Sequence, residues 1–261
     1  MSNIQEKVNE AIRGKVAVVT GAGSGIGRAI ARLLAEKGCT VVAVDVVPAR
    51  VEQVVAEIRS AGGQSSSLVV DLSNGTEVDR MIEGSLNSLG RIDILCNNAG
   101  IMDGAVPVAD TTDDLWERVM AINLYAPFRA SRKAIPAMIK NGGGVILNTD
   151  SVAGKFGARA GAAYTVSKHG LMGLTKSIAT SYGAKGIRCN AMVLGAVQTA
   201  IGVGSSTPNA LGMENLNKTM ATLPRVADPM EIARLALFLV SSDSSFLNGS
   251  CVVADAGWTA F

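Results

Sequence analysis

Seven short apolar runs, alternating with segments of helical period, constrain this chain's fold more than any other feature of its sequence. The runs lie at 16–20, 40–45, 67–70, 92–96, 145–148, 187–193 and 251–254. They are rich in Val and Ile and apolar at successive positions, so both faces of each strand ask to be covered. The intervening segments at 26–37, about 49–61, 77–89, 113–140, 162–182 and 230–241 carry the apolar spacing of helices. Pro127 and Pro136 mark expected bends or boundaries within 113–140. Strands covered on both sides and joined by helical crossovers predict an α/β chain, a doubly wound three-layer sandwich around a seven-stranded, mainly parallel sheet.

The composition agrees. Of 261 residues, 48% are hydrophobic and 18% charged, which supports a large core. No linker divides residues 15–261, so they are read as a single dinucleotide-binding catalytic domain behind an N-terminal extension, 1–14. In that extension Ile4, Val8 and Ile12 recur every four residues, as in a short amphipathic helix or a loose tail. The least regular stretch, at about 195–228, follows the sixth strand and is a candidate substrate loop and lid. The net charge is +2, with both signs interspersed and no basic run, which argues against a nucleic-acid surface. No stretch approaches the ~20 apolar residues of a membrane span, and none has the pattern of a signal peptide. Cys39, Cys96, Cys189 and Cys251 are widely spaced and form no metal-type pair. They read as buried free thiols, in keeping with a cytoplasmic location.

The first strand runs into Thr20-Gly21-Ala22-Gly23-Ser24-Gly25-Ile26-Gly27 and then a helix. A pyrophosphate requires a tight turn, a backbone without side chains in the way and helix N–H groups aimed at the anion. Glycines at 21, 25 and 27 meet those needs, and the strand–turn–helix context makes the cluster more than a turn. The arrangement predicts a dinucleotide site. The second strand ends at Asp45, 24 residues after Gly21, where a carboxylate accepts from the adenine ribose hydroxyls and repels a 2′-phosphate. No Arg or Lys at 24 or 46 would neutralise one, so the expected cofactor is NAD.

Tyr164 and Lys168, four apart on a helix, share a face. A free tyrosine has a pKa of about 10. A neighbouring cation favours its phenolate, and Lys168 together with an oxidised nicotinamide would supply that charge. Ser151, just after the fifth strand, is placed to hold the substrate oxygen in line with Tyr164. Alone such a Tyr–Lys pair is a surface pair; the nicotinamide site and the strand-end serine give it weight.

Taken together, these residues resemble the short-chain dehydrogenase/reductase family over nearly the whole chain, from about Lys15 to Trp258. The family's glycine turn is Thr20–Gly27, including Ser24 and Ile26. Its adenine-side acid is matched by Asp71, followed by Leu72, and its Asn-Asn-Ala-Gly by Asn97-Asn98-Ala99-Gly100. Its helix asparagine matches Asn123. The resemblance implies that Tyr164 is the general acid/base and that Ser151 orients the substrate oxygen. Lys168 would lower the Tyr164 pKa and bind the nicotinamide ribose, and Asn123 would help hold a water that links Lys168 to solvent. Gly195, Val197 and Thr199 fall in the nicotinamide loop, Thr199 where a family threonine bonds the carboxamide. A homotetramer or dimer is implied, with the Asn123 and Tyr164 helices between subunits.

Three positions depart from the family pattern. Asp150 stands where Ser or Thr usually precedes the catalytic serine. It would either raise local pKa values or bind a polar substrate group, but alternation along an extended segment is expected to turn its side chain away. Leu194-Gly195 replaces Pro-Gly, and Asp255-Ala256-Gly257 replaces Asp-Gly-Gly. Among other residues, His169 reads as structural, and Met102, Asp103, Met213 and Met220 as possible pocket lining. Met192 reads equally as lining or core, and Trp258 and Phe261 as burial against another subunit. The expected reaction moves a hydride between NAD and a secondary alcohol or ketone of cyclic, polyol or sugar type, without a metal. The alternatives are a 3-oxoacyl thioester reductase, with Arg129, Arg132 and Arg159 as docking candidates, and a non-catalytic NAD-binding scaffold or regulator.

Overall fold

The apolar runs pair into one sheet. In the computed structural model, which describes residues 12–201 and 207–260, the strands are β1 (Val16–Thr20), β2 (Thr40–Asp45), β3 (Gln64–Val69), β4 (Ile94–Asn97), β5 (Gly144–Ser151), β6 (Ile187–Leu194) and β7 (Cys251–Ala254). Their order is β3-β2-β1-β4-β5-β6-β7, and every neighbouring pair is parallel. The order in which strands are added reverses at β1, whose neighbours are β2 on one side and β4 on the other. A crevice therefore opens beyond the carboxyl ends of β1 and β4, where open α/β sheets bind ligands.

Helices α1 (Gly25–Glu36), α2 (Pro48–Ser60) and α8 (Pro229–Val240) cover one face. Helices α3 (Gly75–Leu89), α5 (Ala126–Lys140) and α6 (Ala162–Tyr182) cover the other. Side chains alternate between the two cores along each strand: Ile146 joins one and Leu147 the other. The three-layer reading holds.

Three segments and one residue depart most from expectation. β3 begins at Gln64, not Ser67, because an edge strand with one neighbour tolerates the polar Gln64-Ser65-Ser66 start. The 113–140 segment is not broken at its prolines. Instead α4 (Asp113–Met120) gives way to a π-helical turn over Ala121–Tyr125 that carries Asn123 into α5. Pro127 lies in the first turn of α5, where its missing N–H is harmless, and Pro136 stays within that helix. The 195–228 stretch contains helix α7 (Ala210–Met220), capped by Asn209, and a short bridge from Val197 to Ala227. Trp258 is buried within its own chain, its indole donating to Thr219 and Thr222, and needs no second subunit to cover it. The expectations for Ile4, Val8 and Phe261 lie outside the described residues.

Candidate active site

The glycine turn builds one end of the crevice. Gly21 has a φ of +66°, and a Cβ there would press within 3.0 Å of the Ala99 backbone. Gly27 lets α1 pack directly against the turn, since its Cβ would come within 2.1 Å of the Gly21 carbonyl. Asp45 joins the turn by accepting from Gly23 N at 2.9 Å, while its other oxygen accepts from Val47 N. The acid and the glycine turn, 22 residues apart at the bonded pair, are thus directly joined. Arg50 lines the same end of the crevice, with its Cβ alongside Gly23. Sequence reading tested only positions 24 and 46 and missed it, although the first turn of α2 brings position 50 back toward the end of β2.

A cleft of about 400 Å³ runs from Asp45 and Arg50 past the strand ends to Ser151, Tyr164 and Lys168. It is lined by Gly21, Ser24, Gly25 and Ile26, then Asp71 and Leu72, then Asn98, Ala99 and Gly100, and on its far side Gly195, Val197 and Thr199. Gly27 packs behind this surface. Ile101, Arg118, Ile122 and Thr149 line it as well, without any local sequence signal. Asn98 is locked in place, its backbone N–H donating to Thr20 Oγ1 and its amide to the Thr20 carbonyl. Asn97 points into the core instead and bonds Asn148. A cradle that side chains would fill, at the mouth of a helix, fits a dinucleotide pyrophosphate.

At the other end, β5 delivers Ser151 and α6 delivers Tyr164 and Lys168. Tyr164 is 6% and Lys168 3% exposed. Lys168 Nζ donates to the Thr149 carbonyl at 2.8 Å and stands 5.5 Å from the centre of the Tyr164 ring. The Ser151 hydroxyl acts on the Tyr164 phenol to favour its ionised form. Burial outweighs that help and, with Asp150 and Asp103, holds Tyr164 above its ordinary range as a phenol. Burial also pulls Lys168 down, partly offset by Asp150.

Asn123 lies behind the cleft wall. Its oxygen accepts from Ile101 N, and its amide donates to the Ile101 carbonyl and to Ser167 Oγ. Both ends of the side-chain amide are engaged in holding the loop beside Lys168.

Other expectations need correction. Asp150 does not turn away: it is 2% exposed, lines the cleft and is electrostatically coupled to Lys168 and Tyr164. Alternation separates it from Ser151, but the α6 face onto which it turns is the face that bears Lys168. Asp103 is no pocket residue. It is fully buried and accepts from Ala105 N, Gly161 N and Tyr164 N. Met192 is core, while Met102, Met213 and Met220 are absent from the cleft lining. His169 Nδ1 bonds the Thr165 carbonyl on its own helix. None of the three docking candidates lines the cleft: Arg129 pairs with Asp79, Arg132 stacks over Phe128 and Arg159 over Trp258.

Comparison with known proteins places this geometry. A family model described as enoyl-(acyl carrier protein) reductase matches residues 21–259. The 3beta-hydroxysteroid dehydrogenase 2 of Eggerthella lenta is 39% identical over 254 residues, covering 97% of this chain and 98% of the relative. The cyclohexanol dehydrogenase of an Acinetobacter species is 34% identical over 94% of this chain and 95% of its own. A solved structure from Beutenbergia cavernae, named as a candidate NAD(P)-dependent gluconate 5-dehydrogenase with NADP bound at low occupancy, superposes with a TM-score of 0.86. It is 35% identical and covers 96% of this chain and 99% of that one.

Proposed function

The chain belongs to the short-chain dehydrogenase/reductase family and is an alcohol/ketone oxidoreductase, and from that premise we propose that it moves a hydride between NAD and a secondary alcohol or its ketone, of cyclic, polyol or sugar type. The observation that carries this reading is a single cleft with Asp45 at one end and the Ser151–Tyr164–Lys168 group at the other. When bound, the nicotinamide exchanges the hydride with the substrate carbon. Ser151 orients the substrate oxygen. Tyr164 gives that oxygen its proton in reduction and takes it back in oxidation. Lys168, anchored on Thr149, holds the nicotinamide ribose and supplies positive charge beside the phenol. Asn123 positions the 100–101 loop against Lys168. Gly21, Ser24, Gly25, Ile26 and Gly27 form the pyrophosphate cradle. Asp45 takes the adenine ribose, Asp71 and Leu72 flank the adenine, Asn98, Ala99 and Gly100 line the middle of the cleft, and Gly195, Val197 and Thr199 hold the carboxamide side.

NADH fluorescence against a panel of cyclic alcohols, polyols and their ketones tests the activity. Cofactor choice has its own test. Asp45→Ala is expected to lower the NAD:NADP preference about 10–100-fold, as removal of a repelling charge should. Arg50 lines the same end of the cleft and is then a cation that can meet a 2′-phosphate, so Asp45→Ala/Arg50→Ala should lose most of the gain. Unchanged selectivity in the single variant would remove Asp45 from this role.

A homotetramer or dimer is supported by an exposed apolar groove along α4, the π turn and α5. It is lined by Trp116, Met120, Leu124, Tyr125, Phe128 and Leu174, with a volume of about 540 Å³ and almost no polar atoms. Light scattering should give a multiple of the chain mass, and Phe128→Asp should reduce it. A single-chain mass for the parent protein would end this reading. Among the described residues no helix is long and apolar enough to cross a membrane. The buried free thiols Cys39, Cys96 and Cys189, each pushed up to about 12 by burial, support work in a reducing cytoplasm.

A further inference from the structure

Asp150 carries a carboxylate where the fold offers it almost nothing. One oxygen accepts from the N–H of Ser151 at 2.6 Å. The other, Oδ2, is shut off from solvent and has no hydrogen-bond partner. Its surroundings are tight: a Cβ on Gly154 would meet Asp150 Oδ1 at 2.5 Å, the Met172 methyl at 2.8 Å and the Lys168 backbone at 3.1 Å. Because Oδ2 is inaccessible, a substrate hydroxyl does not bond that oxygen. What the carboxylate can do is act through space. The titratable groups that face it are Tyr164, Lys168 and His169 on α6 and Cys251 on β7. Two of these four are the proposed acid/base and its cation.

We infer that Asp150 is a positioning residue for the proton step, its buried, half-unpartnered carboxylate bonded to the Ser151 N–H and packed beside the α6 backbone that bears Lys168. This deepens the reading of the site given above and rests on it for its catalytic consequence. A negative charge near a phenol disfavours phenolate, and near an amine favours ammonium. Both directions are found: Asp150 acts to raise Tyr164 and to raise Lys168. Burial in turn lifts Asp150 to about 6, against the pull of Lys168. The catalytic consequence is directional. Ketone reduction needs the phenol proton and alcohol oxidation needs the phenolate, so Asp150 extends reduction to higher pH and delays the alkaline onset of oxidation. A serine or asparagine would fill the position without leaving an unpaired charge in the core.

The test compares Asp150→Asn and Asp150→Ser with the parent protein. Tyrosinate absorbance is followed into strongly alkaline buffer, with Tyr164 isolated by subtracting Tyr164→Phe, and NADH binding reports folding. Asn leaves an unpaired amide; Ser is smaller and does not, so the pair guards against a folding failure in either. Loss of the charge should lower the Tyr164 titration by about one pH unit or more. The pH profile for alcohol oxidation should move down with it, and ketone reduction should fail at correspondingly lower pH. A Tyr164 titration unchanged in both variants, with NADH binding intact, would overturn the inference. The spectral arm needs no substrate. If no alcohol or ketone were turned over, the functional reading would fail while the absorbance titration still decided the role of the charge.

Discussion

Tyr164→Phe should cut turnover by about 10²–10⁴-fold, the usual worth of a positioned general acid/base, while NADH binds within about twofold of the parent. The substitution removes one oxygen and leaves the ring in its buried site between Ser151 and Lys168. The cradle at Gly21–Gly27 and the acid at Asp45 lie at the far end of the cleft and do not touch that oxygen. A loss confined to kcat is therefore the signature of a proton carrier. Ser151→Ala should also lower kcat, because the hydroxyl acts to favour ionisation of the phenol. The double variant should be little worse than Tyr164→Phe alone, since groups that act as a unit are not additive. If parent and Tyr164→Phe shared one slow background rate, the protein would be a cofactor-binding scaffold.

The parts of this site legible in the sequence are those whose chemistry and spacing are local. Gly21 to Gly27 lie within one turn, Tyr164 and Lys168 within one helical turn, and Asp45 at the end of a strand whose apolar run is unmistakable. Ser65 and Ser66 hid the start of β3 because an edge strand does not require apolar residues. The break at Ala121–Tyr125 falls in a good helical sequence, and nothing local distinguishes a π turn from continued α-helix. Its purpose is tertiary: it brings Asn123 against the Ile101 backbone. Asp150 shows how alternation misleads. Strand geometry gives the face onto which a side chain turns, but not which helix lies on that face. Arg50 was missed for the same reason, being near Asp45 through a loop and a helix start rather than in sequence. Gly161 did hold a signal. A glycine that opens a helix without being able to cap it leaves N–H groups for some other acceptor to satisfy.

That acceptor is Asp103, and Asp103→Ala should be the most destabilising single change proposed for this protein. The first turn of α6 has Gly161 at its N-cap and no side-chain cap from its own segment. Asp103 reaches across from the loop after β4, its Oδ1 accepting from Gly161 N at 3.0 Å and its Oδ2 from Tyr164 N at 2.9 Å. Oδ1 also accepts from Ala105 N, fixing a residue held at a φ of +57°. Only glycine leaves room for this reach, since a Cβ at Gly161 would come within 2.6 Å of Asp103 Oδ2. Alanine at 103 would strand three backbone N–H groups in a site that is fully buried. At about 1–3 kcal/mol for each of the three buried donors left unpaired, the loss is roughly 3–9 kcal/mol, a large part of the 5–15 kcal/mol that typically holds a domain together. Urea unfolding should show a matching fall in midpoint with an unchanged slope. Activity should fall further than stability under native conditions requires, because one of the three stranded groups is the backbone of Tyr164 itself. A shift of about 0.5 kcal/mol or less, the size expected for an ordinary surface substitution, would mean that the cap is supplied by something else.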